Sequence, residues 1–90
     1  MRAEGVFEVA NKRGLHARAA SKLVQLASSF SCNIEVSRDG QAANAKSVMG
    51  VLLLCGSMGS RLRFVADGAD AQQAIETIGK LIESKFGEGE

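Results

Sequence analysis

The chain has 90 residues, with 11 Lys and Arg against 10 Asp and Glu, one histidine, no proline, tryptophan or tyrosine, and 46% hydrophobic residues. That length supports one domain with one core, and the near-neutral balance gives no whole-chain pull toward nucleic acid or a membrane surface. The mixed segment from Met1 to Ala10 lacks the apolar stretch of a signal peptide, and the longest apolar run, Val48 to Cys55, is far too short to span a bilayer.

Gly5 to Ala10 reads as a strand, with Phe7 and Val9 on one face and Glu8 on the other. Asn11-Lys-Arg-Gly14 is a polar break. From His16 the period becomes helical: Ala20, Leu23, Val24 and Ala27 make one apolar stripe, widened by Leu26 and Phe30. Cys32, Ile34 and Val36 alternate with polar residues up to Asp39-Gly40, a two-residue hairpin turn. The return arm, Gln41 to Ala45, holds small residues that form strands weakly.

Ser47 opens a short apolar helix from Val48 to about Leu54, which Cys55-Gly56 stops, with the glycine as the residue just past the end. Arg61 to Ala66 is a strand with Leu62, Phe64 and Ala66 on one side. Asp70 caps a last helix, with Gln73 at the reciprocal capping position. Its apolar face is Ala74, Ile75, Ile78, Leu81, Ile82 and Phe86; Gly87 ends it, and residues 87–90 are expected to fray. The two cysteines, Cys32 and Cys55, stand in no metal-ligand or CxxC spacing and read as reduced, mostly buried thiols.

The order is therefore β-α-β-β-α-β-α in a single domain spanning residues 1–90, of the α+β class. Alternating strands need one covered face, and three one-sided helices can cover it. An antiparallel-rich sheet with all helices on one side follows, leaving Glu8, Glu35, Ser37, Arg61 and Arg63 toward water.

The chemistry-bearing segment is Gly14-Leu-His16-Ala-Arg18. Lys12, Arg13, Arg18 and Lys22 surround the one imidazole, with no acid among them. A histidine at the start of a helix stands where the first-turn amides have no intrahelical partner and the dipole is positive. The N–H groups of Ala17, Arg18 and Ala19 would then face an anion held on the His16 ring. An imidazole keeps a neutral nitrogen near pH 7, can form a short-lived bond to phosphorus, and Arg18 can neutralise phosphate oxygens. Spacing alone does not say which ring nitrogen reacts.

Other chemistries find no footing. There is no GxxxxGK[ST] loop, no HExxH and no second histidine for a metal site, so neither metal nor cofactor is expected. An RNA-binding sheet needs exposed aromatic platforms, whereas Phe7 and Phe64 fall on the inner face here.

Asn11-Lys-Arg-Gly-Leu-His-Ala-Arg-Ala-Ala20, followed by Asn44-Ala-Lys-Ser47-Val-Met-Gly50 at the matching separation, resembles the HPr family. These are the histidine phosphocarriers of the bacterial phosphoenolpyruvate-dependent phosphotransferase system. The resemblance runs from about residue 4 to residue 86. It implies an open-faced β-sandwich, its four-stranded antiparallel sheet ordered first, fourth, second, third strand, with three helices on one face. It implies a carrier and not a turnover enzyme: phosphorylated enzyme I places a phosphoryl group on Nδ1 of His16, and a histidine of an enzyme IIA protein takes it. Arg18 matches the family's active-site arginine. Val48, Met49 and Leu52 match partner-docking positions, and Ser47 matches a serine phosphorylated by a dedicated kinase in some bacteria.

A short helix that is apolar nearly all round cannot bury every side chain, so some must form an exposed patch, with Val51 and Leu54 the natural core members. Ser47 is a helix cap on local grounds whatever else it does. The family usually has proline where this chain has Ala19, which adds a backbone donor near the phosphate and points to a changed phosphohistidine lifetime. A cytoplasmic monomer is implied. Sugar-uptake (HPr) and nitrogen-branch (NPr) roles both stay open, as does a regulatory module signalling through His16 or Ser47 to a serine kinase/phosphorylase or a transcription regulator.

Overall fold

The computed structural model describes residues 1–87; Glu88 to Glu90, part of the expected frayed tail, lie outside the described residues. The elements are β1 (Arg2–Glu8), α1 (Ala17–Ser28), β2 (Asn33–Arg38), β3 (Gln41–Asn44), α2 (Val48–Leu53), β4 (Arg61–Asp67) and α3 (Ala71–Glu83), then a 3₁₀ turn at Lys85–Gly87. The four strands form one sheet in the order β1-β4-β2-β3, every neighbouring pair antiparallel. This is the expected open-faced α+β sandwich.

Alternation sets the faces. β4 turns Leu62, Phe64 and Ala66 inward, all fully buried, and β2 adds Ile34 and Val36. Phe64 lies opposite Gly5 on one side and Val36 on the other, and its ring stands 6.1 Å from that of Phe7 at 49°. Leu23 of α1, Val51 of α2, and Ile78 and Ile82 of α3 close the core from the helix side. α3 crosses β1 closely at Gly79, where a Cβ would run into the Phe7 ring. On the outer face Glu4 pairs with Arg2 at 2.8 Å and with Arg63 across the strands.

Several boundaries differ from the sequence expectation. β1 begins at Arg2, because Arg2 and Glu4 point outward while Ala3 is buried, a pattern too polar to signal a strand alone. Asp39 (φ 50°) and Gly40 (φ 84°) make the expected hairpin turn. α2 ends one residue early, and the left-handed residue that stops it is Cys55 (φ 52°), not Gly56. Cys55 is consequently exposed, while Cys32 is buried as expected.

α3 stops at Glu83, and Lys85, Phe86 and Gly87 all take positive φ. That reversal folds Phe86 back into the core, where it is fully buried, and Gly87 donates to the Ser84 carbonyl at 3.0 Å. Asp70 precedes α3 but makes no side-chain cap bond, so the expected capping box is absent. Its carboxylate instead accepts from the amides of Ser31 and Cys32, each at 3.0 Å, and from the Ser31 hydroxyl at 3.3 Å. The loop between α1 and β2 supplies these donors, and a carboxylate gains more from several N–H groups than from one.

Candidate functional site

His16 is the N-cap of α1. Its backbone is extended (φ −74°, ψ 176°), and its carbonyl accepts the first helical bond from Ala20 at 2.9 Å. Its Nδ1 accepts from the Arg18 amide at 3.3 Å, so the lone pair of Nδ1 faces the start of the helix. Ala17, Arg18 and Ala19 are the first three helical residues, ahead of the helix's internal hydrogen bonding. The expected cluster of ring and first-turn amides is therefore present, with the Arg18 amide turned to the ring itself. His16 is half-buried, Ala17 and Arg18 are exposed, and Ala19 is fully buried.

The basic segment divides. Lys12, Arg13 and Arg18 are exposed, but Lys22 reaches the Phe86 carbonyl at 2.8 Å and ties the C-terminal turn to α1. The loop before His16 is more ordered than a polar break suggests. Gly14 takes φ 64°, and a Cβ there would collide with the Gly56 carbonyl oxygen. Leu15 is buried and donates its amide to that same carbonyl at 2.7 Å. The loop carrying the histidine thus rests on the loop that follows α2. Asn11, unremarkable within a polar run, is fully buried and grips Gly14, a role no sequence signal announces.

Ser47 caps α2, its hydroxyl accepting from the Gly50 amide at 3.1 Å. Arg38 closes the far end by donating to the Leu54 carbonyl at 3.0 Å. Val51 and Leu54 are buried, as anticipated. Of the docking positions, Val48 and Met49 are exposed and Leu52 is half-buried; Leu53, at 70% exposure, is as open as Met49 and belongs to the same apolar surface. Leu53 escapes sequence reasoning because a helix of six residues has no clear polar face to mark the other as inner.

A hollow of about 530 Å³ between β2, β3 and β4 is lined by Asn33, Glu35, Asn44, Lys46 and Asp67. Neither it nor the hollows beside Met58 and Leu53 includes His16 or Arg18. His16 is half-buried and Arg18 exposed, so the ring lies at the protein surface.

Fold and site together define a small α+β protein that presents an imidazole at a helix N-terminus, with a short helix of exposed apolar residues packed against the same helix. The family model for the PTS HPr component phosphorylation site matches residues 3–84. The phosphocarrier protein HPr of Cupriavidus necator is 46% identical over 82 residues, covering 91% of this chain and 92% of that protein. The multiphosphoryl transfer protein of Haemophilus influenzae is 42% identical over 87 residues, covering 93% of this chain and 17% of that protein. The crystal structure of HPr-C-His from Thermoanaerobacter tengcongensis superposes with a TM-score of 0.92 at 48% identity, covering 96% of this chain and 97% of that one. The chain belongs to the HPr family: it is a phosphocarrier of the phosphotransferase system, and its partners are other components of that system. No helix among the described residues is long and apolar enough to cross a membrane.

Proposed function

We propose that the phosphoryl group is carried on Nδ1 of His16, arriving from phosphorylated enzyme I and leaving to a histidine of an enzyme IIA protein. The observation that carries this reading is the direction of Nδ1, which faces the Arg18 amide at the α1 N-terminus at 3.3 Å. An incoming phosphoryl group bonds to the Nδ1 lone pair while its bond to the donor breaks, the electron pair staying on the donor atom. The Arg18 N–H then loses its acceptor on the ring and finds a phosphoryl oxygen in the same direction. The positive end of the helix and the Arg18 side chain favour the charge that builds there.

The carrier completes no reaction by itself, because each partner supplies the other half of the transfer. It works in the cytoplasm, as a monomer, and it docks through Val48, Met49 and Leu52, extended by Leu53. Phosphorylation of Ser47 would place roughly −1.5 to −2 charges at the start of this patch, weakening affinity for an acidic enzyme I. The test of the nitrogen is direct. After phosphorylation with phosphoenolpyruvate and enzyme I, ¹⁵N spectra of the His16 ring should show the phosphorus-bonded signature on Nδ1. The signature on Nε2 would contradict the reading.

A further inference from the structure

Asn11 is the one buried polar side chain among the described residues, and it is fully buried. Its Nδ2 donates to the Gly14 carbonyl at 2.9 Å, while its own backbone carbonyl accepts from the Gly14 amide at 3.2 Å. Its Oδ1 meets no donor among the described residues. One side-chain hydrogen bond is set against the burial of a whole amide whose oxygen meets no such donor, a poor return for core stability alone. The value of Asn11 therefore lies in what it holds.

What it holds is the peptide unit just before His16. The Gly14–Leu15 unit is fixed at its oxygen by Asn11 Nδ2 and at its N–H by the Gly56 carbonyl, 2.7 Å from the Leu15 nitrogen. Turning that unit over rotates ψ of Gly14 and φ of Leu15, and glycine, with no Cβ, restrains its own side of the rotation little. A turned unit would rotate the backbone leading into His16 and carry Nδ1 off the Arg18 amide. In-line transfer tolerates little such displacement; an error of about 1 Å can cost on the order of a hundredfold in rate.

We propose that Asn11 is a positioning residue for phosphoryl transfer: it locks the Gly14–Leu15 peptide so that His16 meets its partner with Nδ1 in line. This rests on the reading of His16 as the acceptor. Asn11 touches neither the phosphoryl group nor the partner, so its effect belongs in kcat. KM, set by the α2 surface, should stay put.

The test measures enzyme I-dependent phosphorylation with this protein as the varied substrate, alongside thermal unfolding. Asn11→Ala should lower kcat about tenfold and leave KM within about twofold, with a lower unfolding temperature because the Gly14 carbonyl loses its donor. Asn11→Val, which fills more of the space and also lacks the donor, should behave alike and serves where the alanine variant does not fold. Ile78→Val, a core change distant in the chain from the site, should lower stability with kcat unchanged. Wild-type kcat in the folded Asn11 variants, or a loss that only tracks the unfolded fraction, overturns the proposal while the acceptor reading stands. Failure of the wild type to acquire phosphate at His16 overturns both.

Discussion

Asp70 directs its carboxylate away from the helix it precedes and onto the Ser31 and Cys32 amides. The Ser31 amide above all, with Cys32, holds that carboxyl below the usual carboxylate range. A depressed folded value means a stabilising contribution that is complete above the unfolded pKa and lost as pH falls through the folded one. Glu4, lowered first by its bond to Arg63, acts in the same sense. Thermal stability should therefore fall below about pH 4, and Asp70→Asn should lower the midpoint at pH 7 while flattening that acid limb. An unchanged acid limb in the variant would show that Asp70 plays no such part. Ala19 is the other residue with a distinct expectation. Its amide is one of the first-turn donors, so Ala19→Pro should change the half-life of the phosphorylated protein by about twofold or more with transfer still occurring. Equal half-lives would remove the argument.

At the same scale, the limits of the sequence have physical causes. His16 is legible as a cap because a flexible glycine precedes it and a clean apolar stripe follows. Asp70 is legible as a position but not as a bond, since its partners come from a loop 38 and 39 residues away in the chain. Asn11 is hidden because a polar residue in a polar run carries no sign of burial.

Among the elements, α1 presents the imidazole and α2 exposes the apolar side chains of Val48, Met49 and Leu53. α1 follows its stripe closely, with Ala20, Leu23, Val24 and Ala27 all buried. α2 shows both the strength and the weakness of pattern reading, because its buried pair Val51 and Leu54 is legible but the exposure of Leu53 is not. Periodicity needs more than two turns to fix a face. Met49, 70% exposed, touches no core, so Met49→Asp should leave stability within about 0.5 kcal/mol. It should raise KM for enzyme I about tenfold or more, because a charge would replace an apolar contact in the proposed docking surface. Steady-state kinetics with Met49→Asp and Leu53→Asp side by side would show whether the surface extends as far as Leu53. The ends of α2 and α3 illustrate a second limit: Cys55, Lys85 and Phe86 take left-handed angles that their residue types rarely adopt, so composition points to the neighbouring glycines.

For the whole molecule, strand alternation and one-sided helices were enough to derive the layer order, and the antiparallel β1-β4-β2-β3 topology agrees with the resemblance. The core is a single layer centred on Phe64, fully buried beside Phe7. Phe64→Ala should cost about 3–5 kcal/mol, a large share of the about 5–15 kcal/mol typical of a domain this size. Urea unfolding would show it as a displaced midpoint with an unchanged slope. The sheet's outer face carries the Arg2–Glu4–Arg63 network.

The central claim is that this fold exists to present His16 to phosphoryl donors and acceptors. Its most direct test is intact mass after incubation with phosphoenolpyruvate, Mg²⁺ and the source organism's own enzyme I, for the wild type and for His16→Ala. The account predicts one acid-labile phosphate on the wild type and none on the variant. An acid-stable adduct, or equal labelling of the variant, would contradict it.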